Sequence, residues 1–130
     1  MEPKTRMLQE LIDEIVHTNI RYFKEHMGRG PEGYRTYVLD DMIIIRLLKI
    51  LTPAEHEQAV TPEGQRTIKD TRTRLIHNLR PALEHLFQHL ARANVVSMHT
   101  DVSTKTGESV IMFVLDRKVA DLPEQPNGAV

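Results

Sequence analysis

The chain has 130 residues, with 17 basic and 18 acidic side chains and a formal net charge of -1. This length fits one domain, and the 40% hydrophobic and 27% charged content is typical of a globular protein. The near-neutral charge gives no reason to expect nucleic acid or an anionic membrane as a partner. The absence of cysteine excludes disulfides, thiolate catalysis and cysteine zinc sites.

The N-terminal part of the chain predicts an amphipathic helix from Thr5 to Met27. Apolar residues recur there at three- and four-residue spacing, and charged residues fill the other face. Gly28 follows where a helix ends in a left-handed residue, and Pro31 prevents the helix from resuming. The N-terminus does not resemble a signal peptide, and no apolar run approaches the ~20 residues that span a bilayer. We therefore expect a cytoplasmic protein without direct membrane insertion.

A β-hairpin is predicted next, with arms at about Tyr34–Leu39 and Met42–Leu51. Tyrosine, threonine and valine fill the first arm and three consecutive isoleucines the second, which suits a pleated, buried surface. Asp40 and Asp41 lie between the arms and are predicted to form the turn. The alternative is a pair of carboxylates for acid–base chemistry or for a hard cation, with Asp101 at a matching position in a second hairpin. The turn is favoured, because no other acidic residue lies nearby in sequence.

Two helix-start signals follow the hairpin. Thr52 is a capping residue, Pro53 fits the first helical position, and Glu55 is placed to complete a capping box. The start signal recurs at Thr61, and the apolar period that follows predicts a longer helix to about Arg92. A short helix and a long one are therefore expected.

A second hairpin is predicted from residues 95–103 and 109–116, joined by a turn at 104–107. Residues 117–130 contain two prolines and a glycine with little to bury, so we expect a single domain over 1–116 and a flexible C-terminal tail. The order helix–hairpin–helix–hairpin predicts an α+β fold with an antiparallel sheet of about four strands and helices on one face.

The strands Met42–Leu51 and Val110–Leu115 are apolar on both faces, whereas a sheet covered on one side should alternate. The second face must then be covered, and the chain has too little further helix to cover it. A symmetric homodimer is the economical solution.

The long helix contains a candidate anion site. Basic side chains dominate its first half, which is otherwise almost wholly polar, and are suited to an anion such as phosphate: Arg66, Lys69, Arg72 and Arg74. The alternative is a solvated helix face on which Glu63 and Asp70 neutralise the basic residues, and this structural interpretation is favoured.

Two further motifs suggest sites but favour structural interpretations. His85 and His89 have the i, i+4 spacing of two metal ligands, yet no glutamate completes the known motif, so no metal is expected. Gly28, Arg29 and Gly30 superficially suggest a phosphate loop, but they follow a helix, where the dipole disfavours anions. No serine lies in a nucleophile motif. We expect a protein without enzymatic activity or a cofactor.

Several motifs together closely resemble the MpsC-like family of small bacterial proteins. They are Gly28-Arg29-Gly30-Pro31, Arg35-Thr36-Tyr37, Asp40-Asp41, Leu51-Thr52-Pro53-Ala54-Glu55, Asp101 and Phe113-Val114-Leu115. The resemblance covers about Leu8 to Asp116. It implies association with a Na+-translocating, membrane-potential-generating system, whose membrane subunits resemble ion and bicarbonate transport components. It supplies no catalytic residues.

Two classes of function follow from these observations. The first is a non-enzymatic accessory or regulatory subunit that docks, as a homodimer, on membrane transporter subunits. The second is a cytoplasmic regulator that binds a small anion or nucleotide through the Arg/Lys-rich half of the long helix. An apolar surface patch would favour the first class, and a pocket with converging arginines the second.

Overall fold

The computed structural model describes residues 5–126 and confirms the α+β fold. Its elements are α1 (Arg6–Met27), β1 (Gly33–Leu39), β2 (Met42–Leu48), α2 (Pro53–Gln58), α3 (Pro62–Ala91), β3 (Val95–Val102), β4 (Ser109–Leu115) and a 3-10 turn (Val119–Asp121). The four strands form one antiparallel sheet in the order β1-β2-β4-β3. The predicted sequence of helix, hairpin, helix and hairpin is therefore confirmed.

The two most apolar strands lie at the centre of the sheet. β2 pairs with β4, with Ile44 opposite Met112, and this pairing joins the two hairpins. β1 and β3 are the edges. β3 carries an irregularity between Val95 and Ser97, and such bulges discourage further pairing at an edge.

Local signals hold both ends of α1, and the glycine at its C-terminal end is the stop that the sequence predicts. The Thr5 hydroxyl accepts a hydrogen bond from the Leu8 amide at 3.1 Å, which satisfies one donor of the first turn. Gly28 ends the helix at a φ of 84°, and its N–H donates to the Lys24 carbonyl. A left-handed residue at this position favours glycine, because a side chain there would be strained.

The connection between α2 and α3 is tight. Thr52 and Glu55 form the predicted capping box at the start of α2, and Thr61 caps α3. A Cβ built on Gly64 would lie 1.7 Å from the Gln58 carbonyl oxygen. Only glycine therefore lets the first turn of α3 approach the end of α2 this closely.

The hydrophobic core lies between the helices and one face of the sheet, called here the inner face. Burial alternates along β2 and β4, so that Ile43, Ile45, Ile111 and Phe113 are fully buried. The ring of Phe87 in α3 lies 4.9 Å from that of Phe113. α1 adds a continuous apolar stripe, namely Met7, Leu8, Leu11, Ile12, Ile15, Val16 and Phe23.

The segment predicted as a tail, 117–130, is described up to residue 126. Val119 and Leu122 are buried in the core, and the Met7 amide donates to the Glu124 carbonyl at 2.9 Å. This part of the segment packs against the domain because its few apolar residues fill the end of the core. Residues 127–130 lie outside the described residues.

Candidate functional site

The Gly28–Pro31 segment turns the chain from α1 into β1, and Arg29 holds this corner. Nη2 of Arg29 donates to the Lys49 carbonyl at 2.9 Å and lies 3.4 Å from the Glu32 carboxylate. Lys49 Nζ lies 3.8 Å from the same carboxylate. All these contacts are internal to the corner, so Arg29 is engaged in joining the helix end to the hairpin.

Asp40 and Asp41 form the turn between β1 and β2. Asp40 has a φ of 56°, in the left-handed region that aspartate tolerates better than most residues. The Asp40 carbonyl accepts from the Val119 amide, and the Asp41 carbonyl accepts from the Leu115 amide, both at 2.8 Å. Through their backbone, both residues therefore connect the hairpin to β4 and to the C-terminal segment.

Asp101 is not brought to this turn. It lies on β3, opposite Val110, which in turn is opposite Arg46 of β2, away from the β1–β2 turn. Its Oδ1 lies 3.1 Å from Lys69 Nζ. A hydrogen bond from the Val102 amide, with one from Lys69, lowers the pKa of Asp101. The structure therefore does not assemble Asp40, Asp41 and Asp101 into one carboxylate site.

A buried ion pair links α2 to α3. Nε and Nη2 of Arg72 donate to the two carboxylate oxygens of Glu55 at 2.9 and 2.6 Å, and Nη2 also donates to the Ile50 carbonyl at 3.1 Å. Arg72 is 2% exposed and Glu55 5% exposed. The guanidinium lies 5.4 Å from the centre of the Phe23 ring. Arg72 therefore occupies the apolar stripe of α3 because its charge is fully compensated inside the fold.

The stability of the protein at acid pH should test the ion pair between Glu55 and Arg72. Burial raises the pKa of Glu55, but hydrogen bonds from Arg72 and from Thr52 outweigh it, so the pKa is lowered overall. The stabilisation is then complete above the unfolded pKa of ~4.3 and is lost as pH falls through the lower folded value. We expect the melting temperature of the wild type to fall more steeply below pH ~4 than that of a Glu55→Gln/Arg72→Met variant. Parallel curves would contradict a linkage through Glu55.

The structure separates the four basic residues predicted to bind an anion. Arg72 is buried in the ion pair just described. Arg74 is exposed and lies outside the cleft formed between α3 and the β3–β4 turn. Arg66 and Lys69 line that cleft. Only two of the four residues therefore line this cleft.

His85 and His89 are exposed on α3, with their rings stacked at a centroid distance of 5.6 Å. His99, on β3, contacts the Ser97 hydroxyl at 3.2 Å. Among the described residues, no group of three or more histidine, cysteine, aspartate or glutamate side chains is arranged to hold a metal ion.

The face of the sheet opposite the core, called here the outer face, carries a polar cluster that sequence analysis missed. Nε and Nη2 of Arg46 donate to both oxygens of Glu108 at 3.0 and 2.8 Å, and Nη1 donates to the Tyr37 hydroxyl at 3.1 Å. The bond from Arg46 lowers the pKa of Glu108, and Glu108 in turn raises that of Arg46. The signal in the sequence that could have revealed this cluster was Arg46, a single charged residue inside the most apolar strand. Arg35 is exposed beside it on β1.

Around this cluster the outer face is apolar. Met42 and Ile44 on β2, and Met112 and Val114 on β4, are half-buried. Leu39, next to them on β1, is 61% exposed. An antiparallel sheet usually carries polar side chains on the face away from its core, and this sheet carries apolar ones there instead.

The fold and these surfaces define a class of small α+β domain with a four-stranded antiparallel sheet and an apolar outer face. The family model described as "Na+-translocating membrane potential-generating system (MpsC)" matches residues 7–117. The chain belongs to this family. Among residues 5–126, no helix has both the length and the apolar composition needed to cross a membrane.

Two relatives from Bacillus subtilis (strain 168) are similar over most of their length. The uncharacterized protein YbcI is 38% identical over 102 residues, which cover 78% of this chain and 82% of YbcI. The uncharacterized protein YrhF is 31% identical over 102 residues, which cover 78% of this chain and 84% of YrhF. No solved structure matches the chain.

Proposed function

We propose that this protein is a non-enzymatic accessory or regulatory subunit that acts as a homodimer in a bacterial membrane ion or bicarbonate transport system. The family description supports the association, because it names a Na+-translocating system that generates a membrane potential. The apolar outer face of the sheet is the observation that carries the proposal. It provides the contact surface that a subunit of an assembly requires.

The partner proposed for the outer face is a second copy of this chain. A two-fold axis through the sheet would place Ile44 and Met112 of each copy against the same surface of the other. Arg46 and Glu108 already neutralise each other within one chain. Burying Arg46 and Glu108 in a dimer would therefore leave neither of these two charges unpaired, which would be the costly case.

Docking to membrane subunits requires a second surface, and the edge strand β1 offers one. Tyr34 and Val38 pair with the inward-facing residues Leu47 and Ile43, yet they are 45% and 38% exposed. The helices do not extend far enough to cover this edge. We propose that the exposed edge contacts a transporter subunit on the cytoplasmic side of the membrane. In this proposal the protein neither binds nucleic acid nor inserts directly into the bilayer.

Cell fractionation tests the docking. We expect the protein to be recovered with membranes only in strains that carry the neighbouring transporter genes. The double variant Tyr34→Asp/Val38→Asp should shift to the supernatant, since charges at a docking surface oppose its desolvation. Lys24→Asp, an exposed change on α1 outside this edge, is the matched control and should behave as the wild type. Wholly soluble behaviour of the wild type in both strains would refute the docking.

A further inference from the structure

A cleft lies between the first turns of α3 and the β3–β4 turn. Its volume is about 770 Å3. The helix contributes Pro62, Gln65, Arg66 and Lys69, and the turn contributes Ser103, Thr104, Lys105 and Thr106. The cleft therefore brings together two segments that are distant in sequence.

Two cations in this cleft have no partner within residues 5–126. Arg66 on the helix and Lys105 on the turn make neither an ion pair nor a side-chain hydrogen bond there. Lys69, which also lines the cleft, lies 3.1 Å from Asp101. Arg66 and Lys105 are thus free to bind a ligand.

The carboxylates of the cleft do not neutralise these cations. Asp101 is paired with Lys69, and Glu108 is held at 2.8 Å by Arg46 on the outer face. Glu63 and Asp70, which sequence analysis set against the basic residues, do not line the cleft. The uncompensated charge of the cleft is therefore positive.

The turn adds uncharged donors. Neither Thr104 nor Lys105 uses its backbone N–H in a hydrogen bond within the described residues. Thr104, which carries a hydroxyl, belongs to the same lining. Successive free amides in a turn, next to cationic side chains, are the donor set that binds phosphate oxygens.

We propose that this cleft binds the phosphate group of a small phosphorylated molecule, such as a phosphate ester or a diphosphate. The volume is in the range of small-molecule sites, which is roughly 300–1,000 Å3. No aromatic side chain lines the cleft, so it offers no platform on which a nucleobase would stack. The ligand class is therefore set by phosphate and not by a base. The proposed ligand contacts come from Arg66, Lys105 and the turn, so this inference does not require the proposed dimer or docking, although Glu108 of the lining also belongs to the outer-face cluster.

Calorimetric titration of the full chain with inorganic pyrophosphate tests the site. We expect saturable binding at low ionic strength that weakens as NaCl is added, because the contacts are charge-assisted and exposed. The Arg66→Gln/Lys105→Gln variant should lose about tenfold or more in affinity, since each change removes a charged donor. Arg74→Gln is the control, because Arg74 is exposed on the same helix outside the cleft.

Three results would overturn the proposal. The first is the absence of saturable pyrophosphate binding by a folded wild type at millimolar concentration. The second is equal affinity in Arg66→Gln/Lys105→Gln and in the Arg74→Gln control. The third is binding to phosphatidylglycerol vesicles alone, which would assign the basic surface to lipid headgroups. Circular dichroism should confirm that the variants are folded, since both substituted side chains are exposed.

Discussion

Replacement of Arg72 by alanine should destabilise the protein by about 3–5 kcal/mol, because it leaves the Glu55 carboxylate buried without its partner. The same change removes the bond to the Ile50 carbonyl and the contact with the Phe23 ring. Urea unfolding followed by circular dichroism measures the loss. Arg74→Ala is the matched control on the exposed face of the same helix and should change stability by no more than about 0.5 kcal/mol.

A double variant separates the destabilisation caused by an unpaired buried charge from the net contribution of the ion pair to stability. Glu55→Leu/Arg72→Met replaces both charges with apolar side chains, and such exchanges are often neutral or stabilising. We expect it to recover most of the stability that Arg72→Ala loses. If Arg72→Ala were no more harmful than Arg74→Ala, the ion pair would not be a structural element of the fold.

Neighbouring isoleucines in β2 should respond in opposite ways to aspartate. Ile45 is fully buried on the inner face, so Ile45→Asp places a carboxylate in the core and should prevent folding. Ile44 is half-buried on the outer face, so Ile44→Asp should keep the fold and dissociate the dimer. Sedimentation should give twice the 15.0 kDa chain mass for the wild type and the chain mass for Ile44→Asp.

The comparison of these two variants makes the dimer prediction specific to one face. A wild type that sediments as a monomer over a wide concentration range would contradict the homodimer. A dimeric Ile44→Asp variant would place the contact elsewhere, for example on the β1 edge. Loss of circular dichroism in Ile44→Asp would show that the outer face contributes to folding of the single chain.

Much of the fold was predictable because its signals are local. The apolar period of α1, the glycine at its end and the capping box of Thr52 and Glu55 act within a few residues of one another. The strand runs of the two hairpins were equally clear. In β2 and β4 both alternating sets of residues are apolar, so the sequence also predicted that each face of the sheet would be apolar.

Arg72 and the cleft between α3 and the β3–β4 turn show where local signals end. The position of Arg72 on the apolar stripe was visible in the sequence. Its burial depends on Glu55, which lies on a different helix and comes next to Arg72 only in the folded chain. Lys105 is an ordinary turn residue in sequence. It lines the same cleft as Arg66 only because β3 and β4 place their turn beside the start of α3.

The amino-acid sequence by itself determined the helices, the hairpins and their caps, because each depends on hydrogen bonds and side-chain spacing between near neighbours. Tertiary structure alone decided the pairing of β2 with β4, and with it which isoleucines face the core and which face outward. It also decided which charges compensate one another: Arg46 with Glu108, Arg72 with Glu55, and Lys69 with Asp101. These pairs join residues that are far apart along the chain, so no local pattern encodes them.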